Sequence, residues 1–283
     1  MNKAFSGIER KCFYLFTVLL LGCIIITPVF SGGGGEKSSE NNQVVRVGIV
    51  GENNEQWEHI VTMLAKDGIT VRLVKFGDYV MPNQALADGD VDLNAFQHYA
   101  FLNNQIRDKG FKLSPIADTI IAPLGLYSRK IKSLSELKNG DKIAIPSDPT
   151  NGGRSLKVLE SAGLIKVDPK AEYLPEVSDI IENRLNIQFV QVEAAQTPGL
   201  LPDVAAAIIN GSHALDHGIN PMRDSIYLET QTPGSGNPYV NIIAARTADK
   251  DNPLYKKVVE AYHSDEVRKI IETVFKGAYL PAF

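Results

Sequence analysis

DPTNGGR, residues 148 to 154, places an asparagine, two glycines and an arginine where a turn leads into a helix. Exposed backbone N–H groups and the positive end of a helix dipole favour an anion at such a place. The guanidinium of Arg154 can also grip a carboxylate through two parallel hydrogen bonds. Asn151, Gly152, Gly153 and Arg154 therefore read as a carboxylate trap, with a plain glycine-containing turn and a surface arginine as the alternative. A phosphate-binding P-loop is excluded, because no Gly-Lys-Ser/Thr follows the glycines.

A second concentration of chemistry lies in DVDLNAFQHYAFLNN, residues 90 to 104. If an extended conformation continues through it, Phe96 and His98 share one face at period two, with Phe101 close behind. Rings there suit an apolar or thioether group, since sulfur near aromatic edges gains about 0.3 to 1.5 kcal/mol, and the imidazole adds a polar handle. Core packing is the competing reading. Tyr79 in FGDYVMPNQAL, Asn210 ending VAAAIIN and Asn241 in NPYVN fall at strand ends or in loops. The amides of the two asparagines could accept from an ammonium group, or serve turns and caps.

His213 and His217 in HALDH are spaced to share a helix face, as zinc ligands do. The glutamate of a zinc-protease motif is missing between them and no cysteine is near, so the pair is an incomplete metal site and none is expected. No Gly-x-Ser-x-Gly elbow occurs and no serine has a base at a telling spacing. No catalytic residue and no cofactor are assigned.

With 283 residues, 44% of them hydrophobic, the chain can bury a full core in one large or two smaller domains. The 33 acidic and 29 basic residues are interspersed and the net charge is -4, so no basic stripe tracks a phosphate backbone. Nucleic acid is not an expected partner. Both cysteines, Cys12 and Cys23, fall in the first 30 residues. There Lys3, Arg10 and Lys11 precede the uncharged run CFYLFTVLLLGCIIITPVF, and a flexible glycine- and serine-rich linker, 31 to 43, follows. Two anchors fit. Leu20, Leu21, Gly22 and Cys23 resemble a bacterial lipobox, in which Cys23 would be lipidated. The apolar residues after Cys23 lengthen the run to about the 18 residues a membrane-spanning helix needs, as an uncleaved signal anchor would. Either places the rest of the chain at the extracytoplasmic face of the cell membrane.

The positioning elements follow from periodicity. VVRVGIV (44 to 50) reads as a strand buried on both faces and ITVRLVKF (69 to 76) as a second strand, flanking a helix whose stripe is Trp57, Ile60, Val61, Leu64 and Ala65. A short helix, a third strand near 90 to 96, a helix closed by Gly110 and a strand-like stretch over 112 to 130 come next. The pattern restarts with a capping box at Ser133 and Glu136, then KIAIP and the helix stopped by Gly163. Strands over 187 to 193, 204 to 210 and 238 to 246 and a helical tail broken near His263 complete it. Strand–helix alternation predicts an α/β fold with mostly parallel sheets. The restarts near 129 to 132 and 234 to 237 predict one lobe of residues 44 to 128 plus 239 to 283 and another of 129 to 238. Two hinge crossings then face a shared cleft.

Four separated segments in order, KFGDYVMPNQALADGDVDLNAFQHYAFL, APLGLYSRKIKSLSELKNGDKIAIPSDPTNGGRSLKVLESAGLI, VAAAIINGSHAL and PYVNII, resemble the methionine-binding lipoproteins of ABC importers, the MetQ/NlpA family, over residues 44 to 283. The resemblance implies a bilobed periplasmic-binding-protein-like fold of type II and a non-enzymatic receptor. That receptor would close on a free amino acid and deliver it to a membrane permease driven by an ATPase subunit. It also implies that Arg154 binds the ligand carboxylate, that Tyr79, Phe96 and His98 surround the side chain, and that Asn210 and Asn241 hold the amino and carboxylate ends. Where many members read FQHxPYL this chain reads FQHYAFL, so Phe101 stands in place of a tyrosine and Ala100 in place of a proline. That leaves L-methionine, D-methionine, another sulfur amino acid such as cysteine or cystine, or a methionine-containing dipeptide as the ligand, with an extracytoplasmic enzyme on the same fold as the alternative from another class.

Overall fold

In the computed structural model, which describes residues 43–172, 174–231 and 236–283, the run QVVRVGIV forms β1 (Gln43–Val50). Helix α1 (Glu55–Ala65) carries the chain over to β2 (Ile69–Phe76), which pairs with β1 in parallel along its whole length. Of the expected stripe, Trp57, Ile60 and Leu64 lie inside, Val61 is half-buried and Ala65 in the last turn is exposed; the Trp57 ring sits 5.1 Å from that of Tyr262. Then come α2 (Pro82–Asp88), β3 (Leu93–Asn94), α3 (Tyr99–Lys109) and β4 (Leu113–Asp118).

The strand-like stretch over 112 to 130 is interrupted twice. After β4 the chain leaves the first sheet as β5 (Ile120–Ile121) and enters the second as β6 (Gly125–Tyr127). The second sheet is built with β7 (Lys142–Pro146), α4 (Pro149–Ser161), the side ribbon β8 (Lys166–Val167) and β9 (Ile180–Glu182), and β10 (Gln188–Val192). It is completed by β11 (Ala206–Ile209), α5 (Gly211–Asp216), α6 (Pro221–Asp224) and β12 (Ser225–Leu228). The chain returns to the first sheet as β13 (Ile242–Arg246), runs through α7 (Pro253–Tyr262) and α8 (Asp265–Val274), and ends in β14 (Leu280–Pro281), which pairs with β5.

The strand orders are β2-β1-β3-β13-β4 and β10-β7-β11-β6-β12. Both sheets are mostly parallel, as expected, and each is mixed by a single reversed strand, for one reason. β13 runs against β3 and β4, and β6 runs against β11 and β12. Each is the strand by which the chain enters a sheet after crossing from the other, so it enters from the opposite end. Both sheets are covered on both faces. Ile243 and Ala245 pack with Val45, Val47 and Trp57, while their neighbours Ile242 and Ala244 pack with Leu86 and Leu102. In the second sheet Ile143 and Ile145 face one core and Ala144 the other. Two-sided burial is why these strands are unbroken β-branched and alanine runs instead of alternating ones.

Two local expectations resolve differently. Ser133 precedes and Glu136 ends a single 3-10 turn (Leu134–Glu136), and the Ser133 side chain makes no cap bond to the backbone; Glu136 Oε1 accepts from Lys132 N–H at 3.1 Å and from Ser133 Oγ at 3.2 Å. The strand expected over 238 to 246 starts only at Ile242, because the carbonyls of Pro238 and Val240 accept from the N–H groups of Ala100 and Tyr99 at the start of α3. Residues 40–283 form one compact unit. The N-terminal segment, the linker through residue 42 and Cys23 lie outside the described residues. Among the described residues no helix is long and apolar enough to cross a membrane.

Candidate ligand-binding site

A cavity of about 650 Å³, a figure that includes solvent at its mouth, opens between the ends of the two sheets. Tyr79, Phe96, His98, Phe101, Arg154, Asn210 and Asn241 all line it.

Rings form one wall. Tyr79 comes from the loop after β2, Phe96 from the loop after β3 and Phe101 from the first turn of α3. Tyr79 and Phe96 are 5.8 Å apart between centroids, and Phe101 meets both edge-on at 6.2 and 5.9 Å. A fourth ring, His213, packs 4.7 Å from Tyr79 from behind. The Tyr79 hydroxyl shares a 2.8 Å hydrogen bond with Ser212 Oγ, joining this wall to α5.

His98 does not share a strand face with Phe96, because β3 ends at Asn94. His98 is instead the N-cap of α3, where its Nδ1 accepts from Phe101 N–H at 3.0 Å. A helix start needs such an acceptor. An accepting Nδ1 leaves the ring proton on Nε2, which faces Asn151 Oδ1 at 3.4 Å. Burial, with the charge of Arg154 added, pushes the His98 pKa down to about 3, so the ring is neutral.

The other wall is polar, and here the geometry departs from an anion held on bare helix amides. Asp148 caps α4 with its own carboxylate, accepting from Asn151 N–H at 2.9 Å. The two glycines serve packing: a Cβ on Gly152 would stand 2.8 Å from Pro146 O, and one on Gly153 would stand 3.1 Å from the Leu174 and Pro175 backbone. Arg154, 2% exposed, carries the positive charge. Its Nε donates to Glu229 at 3.0 and 3.2 Å, and its Nη2 donates to Glu229 Oε2 at 2.5 Å and to Ala122 O at 3.0 Å. The guanidinium lies 4.3 Å from the Tyr239 ring centroid. The fork expected to receive a ligand is thus closed by Glu229, and Nη1 makes none of these bonds.

Asn151 ties the floor together. Its Nδ2 donates to Asp148 at 3.0 and 3.2 Å, which turns Oδ1 toward Asn210 Nδ2 at 2.8 Å. That bond uses one N–H of Asn210 and fixes the orientation of its amide, whose Oδ1 is buried without a partner. Gln56 Oε1, at the start of α1, is a second buried acceptor without a partner that belongs to a cavity-lining residue. The Asn241 backbone is engaged with Ile120 and Thr119, and its side chain lines the cavity. A donor on a cation and unmatched amide acceptors within one cavity suit a ligand bearing both a carboxylate and an ammonium group.

The profile of the NlpA lipoprotein family matches residues 45–283. The chain belongs to the NlpA lipoprotein family. Among its relatives, the D-methionine-binding lipoprotein MetQ of Escherichia coli K12 is 41% identical over 265 residues, 92% of this chain and 96% of that protein. A nutrient-binding protein of Burkholderia cenocepacia, solved bound to methionine, is 40% identical, with a TM-score of 0.80 over 84% of this chain and all of that one. The crystal structure of the methionine-binding protein MetQ gives 42% identity and a TM-score of 0.81, covering 85% and 98%.

Within this NlpA-family site, residue reading alone missed Glu229, Gln56 and the ring of His213. Glu229 pairs with an arginine 75 residues away and sits in no motif. Gln56 lies in a helix start that reads as polar surface. His213 and His217 were weighed only as metal ligands; His217 Nδ1 bonds the His213 carbonyl at 2.9 Å, and among the described residues no group of three metal-ligating side chains converges.

Proposed function

We propose that this chain is the substrate-binding protein of an ABC importer, that it binds methionine without altering it, and that it hands it to a permease served by an ATPase subunit. The observation that carries the reading is the composition of one cavity. Arg154 Nη1 supplies a donor for a carboxylate, Asn210 Oδ1 and Gln56 Oε1 supply acceptors for an ammonium group, and Tyr79, Phe96 and Phe101 supply the rings that a thioether prefers. Methionine is named for several relatives that this chain resembles in sequence and in structure.

Closure is proposed as motion of two lobes, residues 44 to 128 with 239 to 283 and residues 129 to 238, about the crossings that precede β6 and β13. Contacts between the sheet systems, such as Tyr79 with Ser212 and Asp216 with Glu52 N–H at 2.9 Å, are those a closed form would make. The proposed seat is the extracytoplasmic face of the membrane, with Cys23 lipidated or the N-terminal run retained.

The test is mass spectrometry of whatever small molecule accompanies the protein through purification and is freed on denaturation. Unaltered methionine is expected. A protein that carries none and shows no calorimetric response to either enantiomer of methionine would sink the reading, and conversion of added methionine would replace a receptor by an enzyme. Intact mass of the membrane-extracted chain separates the anchors, since lipidation at Cys23 removes the residues before it.

A further inference from the structure

We infer that Glu229 sets the charge class of ligand the cavity accepts, by occupying the Nε–Nη2 edge of Arg154 and balancing its charge. The inference rests on the reading of the cavity as an amino-acid site.

Among the described residues that line the cavity, Arg154 is the one charged side chain, His98 being neutral. Alone it would leave the enclosed space with one uncompensated positive charge and would favour an anion. Glu229 changes that. Its carboxylate, 11% exposed, takes three hydrogen bonds from Nε and Nη2 and a fourth from Leu124 N–H at 2.9 Å. Leu124 lies on the first crossing between the sheets and Glu229 directly after β12, at the start of the second. Arg154 also donates to Ala122 O, on the first crossing.

The guanidinium is therefore fixed in one orientation against both crossings, and its two-nitrogen edge is spent inside the protein. A ligand is offered Nη1 alone, from an ion pair whose net charge is zero. A zwitterion brings no net charge into such a site, and its ammonium end meets the unpartnered amide oxygens of Asn210 and Gln56. A ligand with a net charge of either sign enters without a counterion. Glu229 does not line the cavity, so it is a positioning residue that acts through Arg154.

Three ligands of one shape test this: methionine, its carboxamide, which carries a net positive charge, and 4-(methylthio)butanoate, which lacks the amino group and carries a net negative one. Affinities are read by calorimetric displacement at mildly acidic pH for the full chain and for Glu229→Gln. Removing one negative charge near the ligand should move the preference for methionine over the carboxamide up by about tenfold or more. The preference for methionine over the butanoate should move down by a similar factor. A strut without an electrostatic role would shift all three affinities by one common factor, and that result overturns the inference while leaving the receptor reading intact. If the unaltered chain binds none of the three, both fall together. Should Glu229→Gln fail to fold, Glu229→Asp keeps the charge on a shorter arm. Its affinities should drop with the preferences held near those of the parent, and a tenfold change in either preference would overturn the inference.

Discussion

Tyr79, Phe96 and Phe101 reach the cavity from the first sheet's loops and from the start of α3, whereas Arg154, Asn151 and Asn210 reach it from the second sheet's helices and strand ends. Apart from the Tyr79–Ser212 hydrogen bond, the ring wall is held by ring contacts with centroids 4.7 to 6.2 Å apart, each weak and none exclusive. In the polar wall each oriented group fixes the next: Asp148 holds Asn151, Asn151 holds Asn210, and Glu229 holds Arg154. The ring wall should therefore respond to substitution in proportion to the atoms removed. The polar wall should fail as a unit, because a buried charge that loses its partner has no solvent to turn to.

Arg154→Ala should produce the largest effect. Loss of a desolvated charge contact costs about 2–5 kcal/mol of binding, which corresponds to roughly a hundredfold or more in methionine affinity. The same change leaves Glu229, 11% exposed, without its cation, so stability should also fall, by about 3–5 kcal/mol. The double variant Arg154→Ala, Glu229→Ala should recover most of that stability and none of the binding. Calorimetry and urea unfolding separate the two losses. An Arg154→Ala variant that keeps full affinity would erase the distinction between the walls.

Phe96→Ala should fall well below that. Phe96 is half-buried and touches the neighbouring rings without hydrogen bonds, so the loss is contact area plus any ring–sulfur contact. A drop of about tenfold in methionine affinity is expected. The sharper form of the test uses norleucine, which replaces the thioether by a methylene group. It should lose less affinity than methionine on Phe96→Ala, since only methionine forfeits the sulfur contact. Equal losses would reduce the ring wall to plain apolar packing.

How much of this was legible in the sequence follows the same division. The ring wall and the amides stand out as candidates because aromatic and amide side chains fall at strand ends and in loops, but it was the family resemblance that favoured a ligand site over core packing and capping. The first strand, helix and strand could be bounded because each is rich in β-branched or striped apolar residues and a glycine, Gly51, Gly68 or Gly77, follows it. What escaped was set by tertiary pairing. Neither Glu229 on Arg154 nor the orientation of the Asn210 amide by Asn151 has a local pattern, because each depends on which elements meet. The glycines of NGGR were read as an opening for an anion, when the backbone of Pro146, Leu174 and Pro175 is what fills the space beside them. The reversed strands β6 and β13 were missed because local periodicity carries no strand direction.

The smallest effect on binding should come from pH. His98 sits between the walls, capping α3 with Nδ1 and facing Asn151 with Nε2, and its pKa is pushed down to about 3 by burial with the Arg154 charge added. It stays neutral well below the ordinary histidine value of about 6.5, so methionine affinity should be flat across the neutral and mildly acidic range. Stability should not be flat. Burial also pushes His213 down, to about 4, so in the folded chain both rings remain neutral where the unfolded chain has already protonated them. The unfolded state then binds more protons than the folded one, and stability falls as pH drops. The contribution is complete above about 6.5 and is lost progressively as pH falls toward about 4 for His213 and about 3 for His98. Urea unfolding and calorimetry on the same samples read both quantities. An affinity that titrates near pH 6.5 would mean that the His98 ring takes up a proton within the folded site, and that the two walls meet at a charged histidine.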